Sequence, residues 1–285
     1  MQLDIFKSLW GWTGDWSHCS AQVREMGAVG VETRLPLEAG AQRAMAHALA
    51  QHGLACIAVV FTGGGVIPHQ AWTVEQHLQR LREALDGAAL VQPRFLNLLA
   101  GNDRWSLPQL VDFFGRAQAM ADEAGVVCSW ETHRGSALYS PWVTLALIEQ
   151  LPQLRFTADI SHWVVVCERR LDDPLDDLSA FIERVHHVQA RVGYDQGPQV
   201  PHFEAPEHAQ DVAFHQGVWQ SIWASQAQRG YARSTLTPEF GPDGYTHRLP
   251  FTQAPVADLH ALNLGMAHRQ RSRFDAWTPP MEVTP

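Results

Sequence analysis

The chain has 285 residues, of which 46% are hydrophobic, and its formal net charge at pH 7 is −9. This is enough apolar sequence for one large core and too much for a disordered protein. The acidic balance argues against nucleic acid as a partner, because proteins that bind the phosphate backbone concentrate positive charge on one face. No apolar run approaches the roughly 20 residues that cross a bilayer, and the chain does not start with a basic and apolar leader. We therefore expect a soluble, cytoplasmic protein without a membrane partner.

Short apolar runs alternate with longer amphipathic runs along the chain. The predicted strands span residues 3–10, 29–35, 54–61, 94–99, 126–133, 155–162, 185–192 and 234–240. The predicted helices span residues 21–26, 39–52, 73–85, 107–124, 140–151, 175–183, 207–229 and 256–268. Eight strand–helix pairs in succession predict an α/β fold, a single-domain (β/α)₈ TIM barrel over residues 1–270, with residues 271–285 as an extended C-terminal tail. An open, doubly wound sheet is the alternative, but no GxGxxG turn follows the first strand to support its nucleotide-binding form.

In a barrel of this kind, functional side chains lie at the carboxyl ends of the strands, where the loops form the mouth. Polar and charged residues occupy those ends repeatedly. They are Lys7, Glu32, Asn97, Glu131, His133, Asp159, His162, His187, Gln189, Arg191 and Glu239. Glu131 and His133 are two residues apart and share one face of their strand, and the same spacing relates the three candidates on the seventh strand.

Four of these residues suggest a metal site. Glu131, Asp159 and Glu239, with either Gln189 or His187, come from four successive strands and should converge in a closed barrel. Clustered carboxylates repel one another unless a cation lies between them, although each carboxylate alone could instead cap a helix or pair with a loop cation. We predict one divalent metal ion. A set of oxygen ligands that includes Gln189 suits Mg²⁺ or Mn²⁺, whereas His187 would favour Mn²⁺, Co²⁺ or Zn²⁺.

The motifs ETHRG at residues 131–135 and ADISHW at residues 158–163 resemble those of a known family, the xylose-isomerase-like sugar isomerases and epimerases with a TIM barrel. The resemblance extends over nearly the whole chain, from residues 6–10 to residues 237–241. It implies metal ligands at Glu131, Asp159, Gln189 and Glu239, and a substrate contact at His162. Many members have His-Val-His on the seventh strand where this chain has HVQ at residues 187–189, so the resemblance places the glutamine in the ligand position.

The chemistry implied by the family and by the cluster is proton transfer beside a carbonyl group. A divalent ion that chelates a carbonyl and its neighbouring hydroxyl acidifies the C–H between them and stabilises the enediolate. Glu131 and Glu239 resemble the family's acid/base pair and could act on one face, giving isomerisation, or on two faces, giving epimerisation. We therefore predict an isomerase or epimerase that acts on a small polyhydroxy carbonyl compound. The alternatives are a metal-dependent dehydratase or lyase on the same fold and a catalytically inert metal-binding barrel that serves as a subunit.

Several residues near the strand ends are candidates for binding a sugar or sugar-acid substrate. Lys7 is the single lysine among 21 basic residues, so it is either needed to polarise a substrate oxygen or a chance survivor on the surface. His133, Arg134 and Arg191 could bind a carboxylate or phosphate on the substrate, and either arginine could instead secure a loop or pair with one of the clustered carboxylates. The full set of candidates is Lys7, Trp10, His133, Arg134, His162, His187 and Arg191. The sequence is compatible with a homo-oligomer.

Overall fold

The computed structural model describes residues 1–278. Eight parallel strands form one closed barrel, in which each strand pairs with the next along the chain and the last pairs with the first. The strands are β1 (Gln2–Ser8), β2 (Gly30–Arg34), β3 (Ala55–Phe61), β4 (Leu96–Leu99), β5 (Cys128–Glu131), β6 (Phe156–Ala158), β7 (Val185–Gln189) and β8 (Arg233–Thr237). Each predicted strand overlaps an observed one, and the predicted (β/α)₈ barrel is confirmed.

Helices surround the barrel. They are α1 (Trp16–Glu25), α2 (Ala39–His52), α3 (Val74–Val91), α4 (Leu107–Ala124), α5 (Pro141–Gln150), α6 (Ile160–Cys167), α7 (Ser179–Ile182), α8 (Ala209–Gln228) and α9 (Leu259–Ala276). Among the described residues, no helix is long and apolar enough to cross a membrane. Helix α9 continues past the predicted boundary at residue 270, so residues 271–276 are helical, and the predicted tail beyond residue 278 lies outside the described residues.

Helix α6 was not predicted, because residues 155–162 have the apolar character of one continuous strand. The strand ends at Ala158, and the side chain of Asp159 then accepts a hydrogen bond from the backbone N–H of Ser161. A carboxylate in this position caps the first turn of a helix. The carboxylate therefore starts a helix, and His162 lies in its first turn rather than on a strand.

Two apolar cores hold the barrel together. The larger core lies between the strands and the helices, and it includes the fully buried rings of Phe113, Phe114 and Trp130. The smaller core fills the lower part of the barrel with Phe6 and Ile57, and Phe95 completes it. Polar residues replace this apolar filling towards the carboxyl ends of the strands. The upper half of the barrel is consequently available for a polar site.

An ion-pair cluster closes the base of the barrel. Asp4 on β1 is only 4% exposed. Its carboxylate accepts hydrogen bonds from Arg94, at 2.5 Å, and from Arg233, at 3.0 Å. Arg94 lies just before β4, and Arg233 is the first residue of β8. The cluster therefore links β1 and β8, the pair of strands that closes the barrel, to β4.

His215 ties the segment after β7 to the helical layer. Its ring is fully buried on α8. The Nδ1 atom lies 2.8 Å from the carbonyl oxygen of Asp211, and the backbone N–H of Gly193 donates to Nε2 at 3.3 Å. These contacts need a neutral ring that carries its proton on Nδ1. Burial lowers the pKa of His215 from 6.5 to about 4.

We expect acid to destabilise the protein through His215. The unfolded chain takes up this proton near pH 6.5, whereas the folded chain takes it up only near pH 4. The stability that depends on the neutral ring is therefore complete above pH 6.5 and is lost as the pH falls, by about 2 kcal/mol at pH 5. Urea denaturation at pH 7.5 and pH 5 measures this loss. The His215→Asn variant keeps a donor for Asp211 and should lose correspondingly less stability between the two pH values, so an equal loss in both proteins would contradict the assignment.

Candidate active site

A cavity of about 380 Å³ opens at the carboxyl ends of the strands. One half of its wall is apolar and comes from β1, β3, β4 and their loops. The other half carries polar and charged side chains from β2, from β5 and from the residues that follow β5, β7 and β8. The apolar half includes Leu9, Trp10, Val59, Phe61 and Leu99, and the polar half includes Glu32, Glu131, His133, Arg191 and Glu239. The cavity is at the lower end of the size range of small-molecule sites.

Asn97 links two buried carboxyl groups beneath the cavity. Its Nδ2 atom donates to Glu32 Oε1 and to Glu131 Oε2, each at 2.8 Å. All three side chains are at most 3% exposed. The amide therefore fixes one oxygen of Glu131, and the remaining oxygen of that carboxyl group makes no protein hydrogen bond in the described structure.

Gln189 joins the same network from β7. Its Nε2 atom donates to Glu239 Oε1 at 3.0 Å and to Glu32 Oε1 at 3.2 Å. Its Oε1 atom is buried and has no hydrogen-bond partner within residues 1–278. Burying an amide oxygen without a hydrogen-bond partner costs free energy, and buried polar atoms in folded proteins usually have a partner. The glutamine therefore presents a ligand atom beside the carboxyl cluster.

The carboxyl groups strongly affect one another. Burial, with the neighbouring groups of Glu239, Asp159 and Glu32, raises the pKa of Glu131 well above its usual value. Burial also raises the pKa of Glu239 well above its usual value, because the nearby Arg191 offsets it only in part. Both groups therefore hold protons more strongly than exposed carboxyl groups do, and a cation would favour their ionised forms.

Asp159 has a cation partner from the protein. The Arg191 Nη2 atom donates to Asp159 Oδ2, and the guanidinium Nε donates to Ser161 Oγ at 3.1 Å. The other carboxylate oxygen of Asp159 accepts from both the N–H and the hydroxyl of Ser161. Burial lowers the pKa of Arg191, but Asp159 and Glu239 outweigh burial and hold it above its usual value. Asp159 is thus a helix cap and an ion-pair partner in this structure.

The predicted histidines have different surroundings. His133 lies in the cavity wall, and its ring centre is 3.9 Å from that of His162. Arg191 Nη2 lies 2.8 Å from His162 Nε2, which can accept this hydrogen bond because burial lowers the pKa of His162 well below its usual value. His187 lies deeper, 2.9 Å from Thr235 Oγ1 and 3.3 Å from Glu32 Oε2. Of the three, only His133 lines the cavity.

Lys7 is not brought into the site. On β1 it pairs with Val31, whose side chain packs in the core between the strands and the helices, whereas the next residue, Ser8, pairs with the inward-facing Glu32. Lys7 therefore points outward, towards Cys19 on α1, and burial lowers its pKa. The predicted substrate contact was wrong because alternate residues of a strand face opposite sides.

Aromatic rings enclose the guanidinium of Arg191. Its Cζ atom lies 4.6 Å from the ring centre of Tyr245 and 5.7 Å from that of Trp10. The Nε1 atom of Trp10 donates a hydrogen bond to Asp243 at 3.0 Å. The Cζ atom of Arg134 lies 5.2 Å from the ring centre of Tyr245. A Cβ atom on residue 241 would lie 1.9 Å from the indole of Trp10, so this contact requires Gly241. Trp10 and Arg191 line the cavity, and Arg134 lies beside it, over Tyr245.

The four predicted ligands suit a divalent ion in their chemistry. Glu131 and Glu239 face the cavity, and Gln189 Oε1 lacks a partner. The fourth, Asp159, is paired with Arg191, and the same Nη2 atom is 3.7 Å from Glu239 Oε2. Within residues 1–278, no three His, Cys, Asp or Glu side chains are already grouped as a metal site. The donor types therefore suit the ion, but the side chains are not grouped around one point within the described residues, and the chain's own arginine contacts two of them.

The candidate list from the sequence omitted several residues of this site. Glu32 and Asn97 were recognised at strand ends, and their inward positions on β2 and β4 could have identified them as supports of Glu131. Tyr245 and Asp243 come from the long segment between β8 and α9, where no strand pattern gives a position. Ser161 could have been recognised as a partner of Asp159 only if α6 had been predicted.

Several solved structures share this fold at low sequence identity. The first is a probable 3-DHS dehydratase, AsbF, from Bacillus anthracis, with a TM-score of 0.60, 12% identity, and coverage of 95% of this chain and 98% of that chain. A 3-keto-D-glucoside 4-epimerase, YcjR, from E. coli has a TM-score of 0.60, 13% identity, and coverage of 95% and 100%. A D-allulose 3-epimerase from Methylomonas sp., in complex with D-allulose, has a TM-score of 0.60, 14% identity, and coverage of 95% and 97%.

A comparison with curated protein sequences found no match. The family model described as "Xylose isomerase-like TIM barrel" matches residues 20–251, which include seven of the eight strands. The chain therefore belongs to the xylose isomerase-like TIM barrel family.

Proposed function

We propose that the chain is a sugar isomerase or epimerase that uses one divalent metal ion and acts on a small polyhydroxy carbonyl compound. The observation that carries this proposal is the pair of carboxyl groups of Glu131, which is buried at the end of β5, and Glu239, which is partly buried just after β8, because both face one cavity. Structural neighbours that share the fold include epimerases of D-allulose and of a 3-keto-D-glucoside. Their low identity makes them support for the substrate class only.

The ion would be held by Glu131, Asp159, Gln189 and Glu239, and Mn²⁺ or Mg²⁺ suits these oxygen donors better than Co²⁺ or Zn²⁺. When bound, a divalent ion would polarise a substrate carbonyl and the adjacent hydroxyl. Gln189 positions Glu239 through one carboxylate oxygen, and Asn97 positions Glu131 in the same way. Each acid therefore keeps one oxygen free of these amide hydrogen bonds.

These free carboxylate oxygens are suited to moving a proton between carbon atoms. An ionised carboxylate removes the proton, and a protonated one returns it. Burial raises the pKa of both groups in the metal-free protein, and a bound ion would favour their ionised forms, which are the forms that remove a proton. One carboxyl group acting on one face isomerises an aldose or ketose. Two groups acting on opposite faces invert a carbon centre.

The surrounding wall would orient the sugar. Trp10 and Phe61 offer apolar surface to the C–H face of a sugar ring, while His133 offers a polar group from the opposite side of the cavity. Burial lowers the pKa of His133 to about 3, so it is neutral and can donate or accept a hydrogen bond. Arg191 already has Asp159 as its carboxylate partner, so it can contact a substrate only after that ion pair has opened.

Metal analysis and a substrate screen in D₂O test the proposal. The purified protein should retain a divalent ion after metal-replete preparation, and added Mn²⁺ should raise its melting temperature. Ketoses and aldoses should gain deuterium beside the carbonyl without losing water. Loss of one water from a substrate would instead identify the dehydratase that shares this fold. A protein that retains no ion and gains no thermal stability from Mn²⁺ would contradict the metal-dependent function.

A further inference from the structure

Arg191 is a buried cation placed within the predicted metal ligands. Its side chain is only 2% exposed, although an arginine ordinarily keeps its charge in water. The side chain extends from the end of β7, two residues after Gln189, and so shares the inward face of that strand. The chain therefore supplies a positive charge at the point where its carboxyl groups meet.

The guanidinium of Arg191 donates a hydrogen bond to Asp159, one of the four carboxylate and amide ligands predicted for the metal. Asp159 is fully buried, and one of its oxygens accepts from Arg191 while the other accepts from Ser161. The same Nη2 atom of Arg191 is 3.7 Å from Glu239 Oε2. One nitrogen thus lies between two of the four ligands. A divalent ion that binds both carboxylates must occupy the same region.

A guanidinium and a divalent ion repel each other strongly in such a buried place, because little water screens them. They cannot both bind Asp159 and Glu239 at short range. The rings of Tyr245 and Trp10 already contact the guanidinium while it is paired with Asp159, and their faces would still attract this cation without the carboxylate. The guanidinium can therefore remain within the mouth after it has left the carboxylates.

We propose that Arg191 is a displaceable internal cation that competes with the divalent ion for Asp159 and Glu239. This inference rests on the proposed metal-dependent function. In the metal-free protein the arginine pairs with Asp159, lies 3.7 Å from Glu239 and offsets part of their negative charge. Binding of the ion displaces the guanidinium, so part of the binding free energy is used to break the ion pair, and the affinity for metal is reduced. The released arginine then faces the cavity, where it can bind an oxygen of the substrate.

Calorimetric titration with Mn²⁺ tests the competition without any substrate. The Arg191→Gln variant should bind Mn²⁺ at least about tenfold more tightly than the wild type, because the competing charge is removed. Arg191→Lys keeps a charge but loses the planar, two-pronged donor, so it should bind about threefold more tightly. The matched control is Arg134→Gln, which removes an equal charge from over Tyr245, where the arginine makes no ion pair with the carboxyl cluster in the described structure. Its affinity should stay within about twofold of the wild type.

The outcomes separate the two proposals. If the wild type binds Mn²⁺ and neither variant of Arg191 binds it more tightly, the competition is refuted while the metal-dependent function stands. If none of the proteins binds Mn²⁺, both proposals fail together. Circular dichroism of each variant establishes that it is folded, and Arg191→Lys alone decides the question if Arg191→Gln does not fold. Equal tightening by Arg134→Gln would show a general effect of charge and would also refute the competition.

Discussion

Replacing Glu239 with glutamine should lower turnover by about a thousandfold while leaving the barrel folded. Glutamine has the size of the native side chain and can still accept the hydrogen bond that Gln189 donates to Glu239 at 3.0 Å. It cannot, however, take up or release a proton. Turnover is measured as deuterium incorporation from D₂O into the sugar that reacts in the substrate screen. The exposed acid Glu207 provides a matched control, because Glu207→Gln removes the same charge at a distance from the cavity.

The same experiment on Glu131 separates isomerisation from epimerisation. With two bases on opposite faces, each single variant should still exchange the proton on the face served by the remaining acid. If only one of the two residues acts as the base, its variant should show no exchange at all, whereas the variant of the other residue should still exchange the proton. Full activity in Glu239→Gln and in Glu131→Gln would refute the proton-transfer roles of both residues.

Changing Asn97 to aspartate should destabilise the metal-free protein by about 3 kcal/mol or more. The native amide donates to Glu32 and Glu131 at 2.8 Å from a fully buried position. A carboxyl group of the same shape would offer neither hydrogen bond in its ionised form and would add a charge beside two buried acids. Urea denaturation in the presence of EDTA measures the change in the free energy of unfolding.

The loss of stability in Asn97→Asp should also depend on pH, because the introduced carboxyl group can be protonated. Lowering the pH protonates the new carboxyl group and restores one donor, so the difference from the wild type should shrink as the solution becomes more acidic. Asn97→Leu is the control, because it removes both hydrogen bonds without adding a charge. An Asn97→Asp protein that is as stable as the wild type would show that the two carboxyl groups do not depend on this amide.

The barrel could be predicted from sequence because each strand carries a local signal. Short apolar runs separated by amphipathic helices determine the order of elements, and one closed arrangement of eight parallel strands accommodates them. The inward positions of Glu131 and Gln189 also follow from alternation along a strand, and the structure places both at the mouth. Lys7 was considered only for its place near the end of β1, and alternation along that strand directs its side chain away from the site.

The contacts within the site could not be predicted from these local patterns. Arg191 and Asp159 are separated by 32 positions, and their ion pair depends on the packing of β7 beside the start of α6. The sequence allowed Asp159 to be a ligand, a cap or an ion-pair partner, and the structure shows the last two roles together. The proposed competition between Arg191 and a metal ion could be inferred only from the neighbours of this carboxylate in the structure.

The Asp4 cluster at the base has a consequence for the order of folding. Asp4 is made well before its partner Arg233, which lies 229 positions later in the chain. During synthesis β1 can pair with β2, while its other edge stays exposed until β8 leaves the ribosome. The ring therefore closes late. A nascent chain that stalls before residue 233 exposes an unpaired strand edge, and chaperones would recognise it at that stage rather than after the barrel is complete.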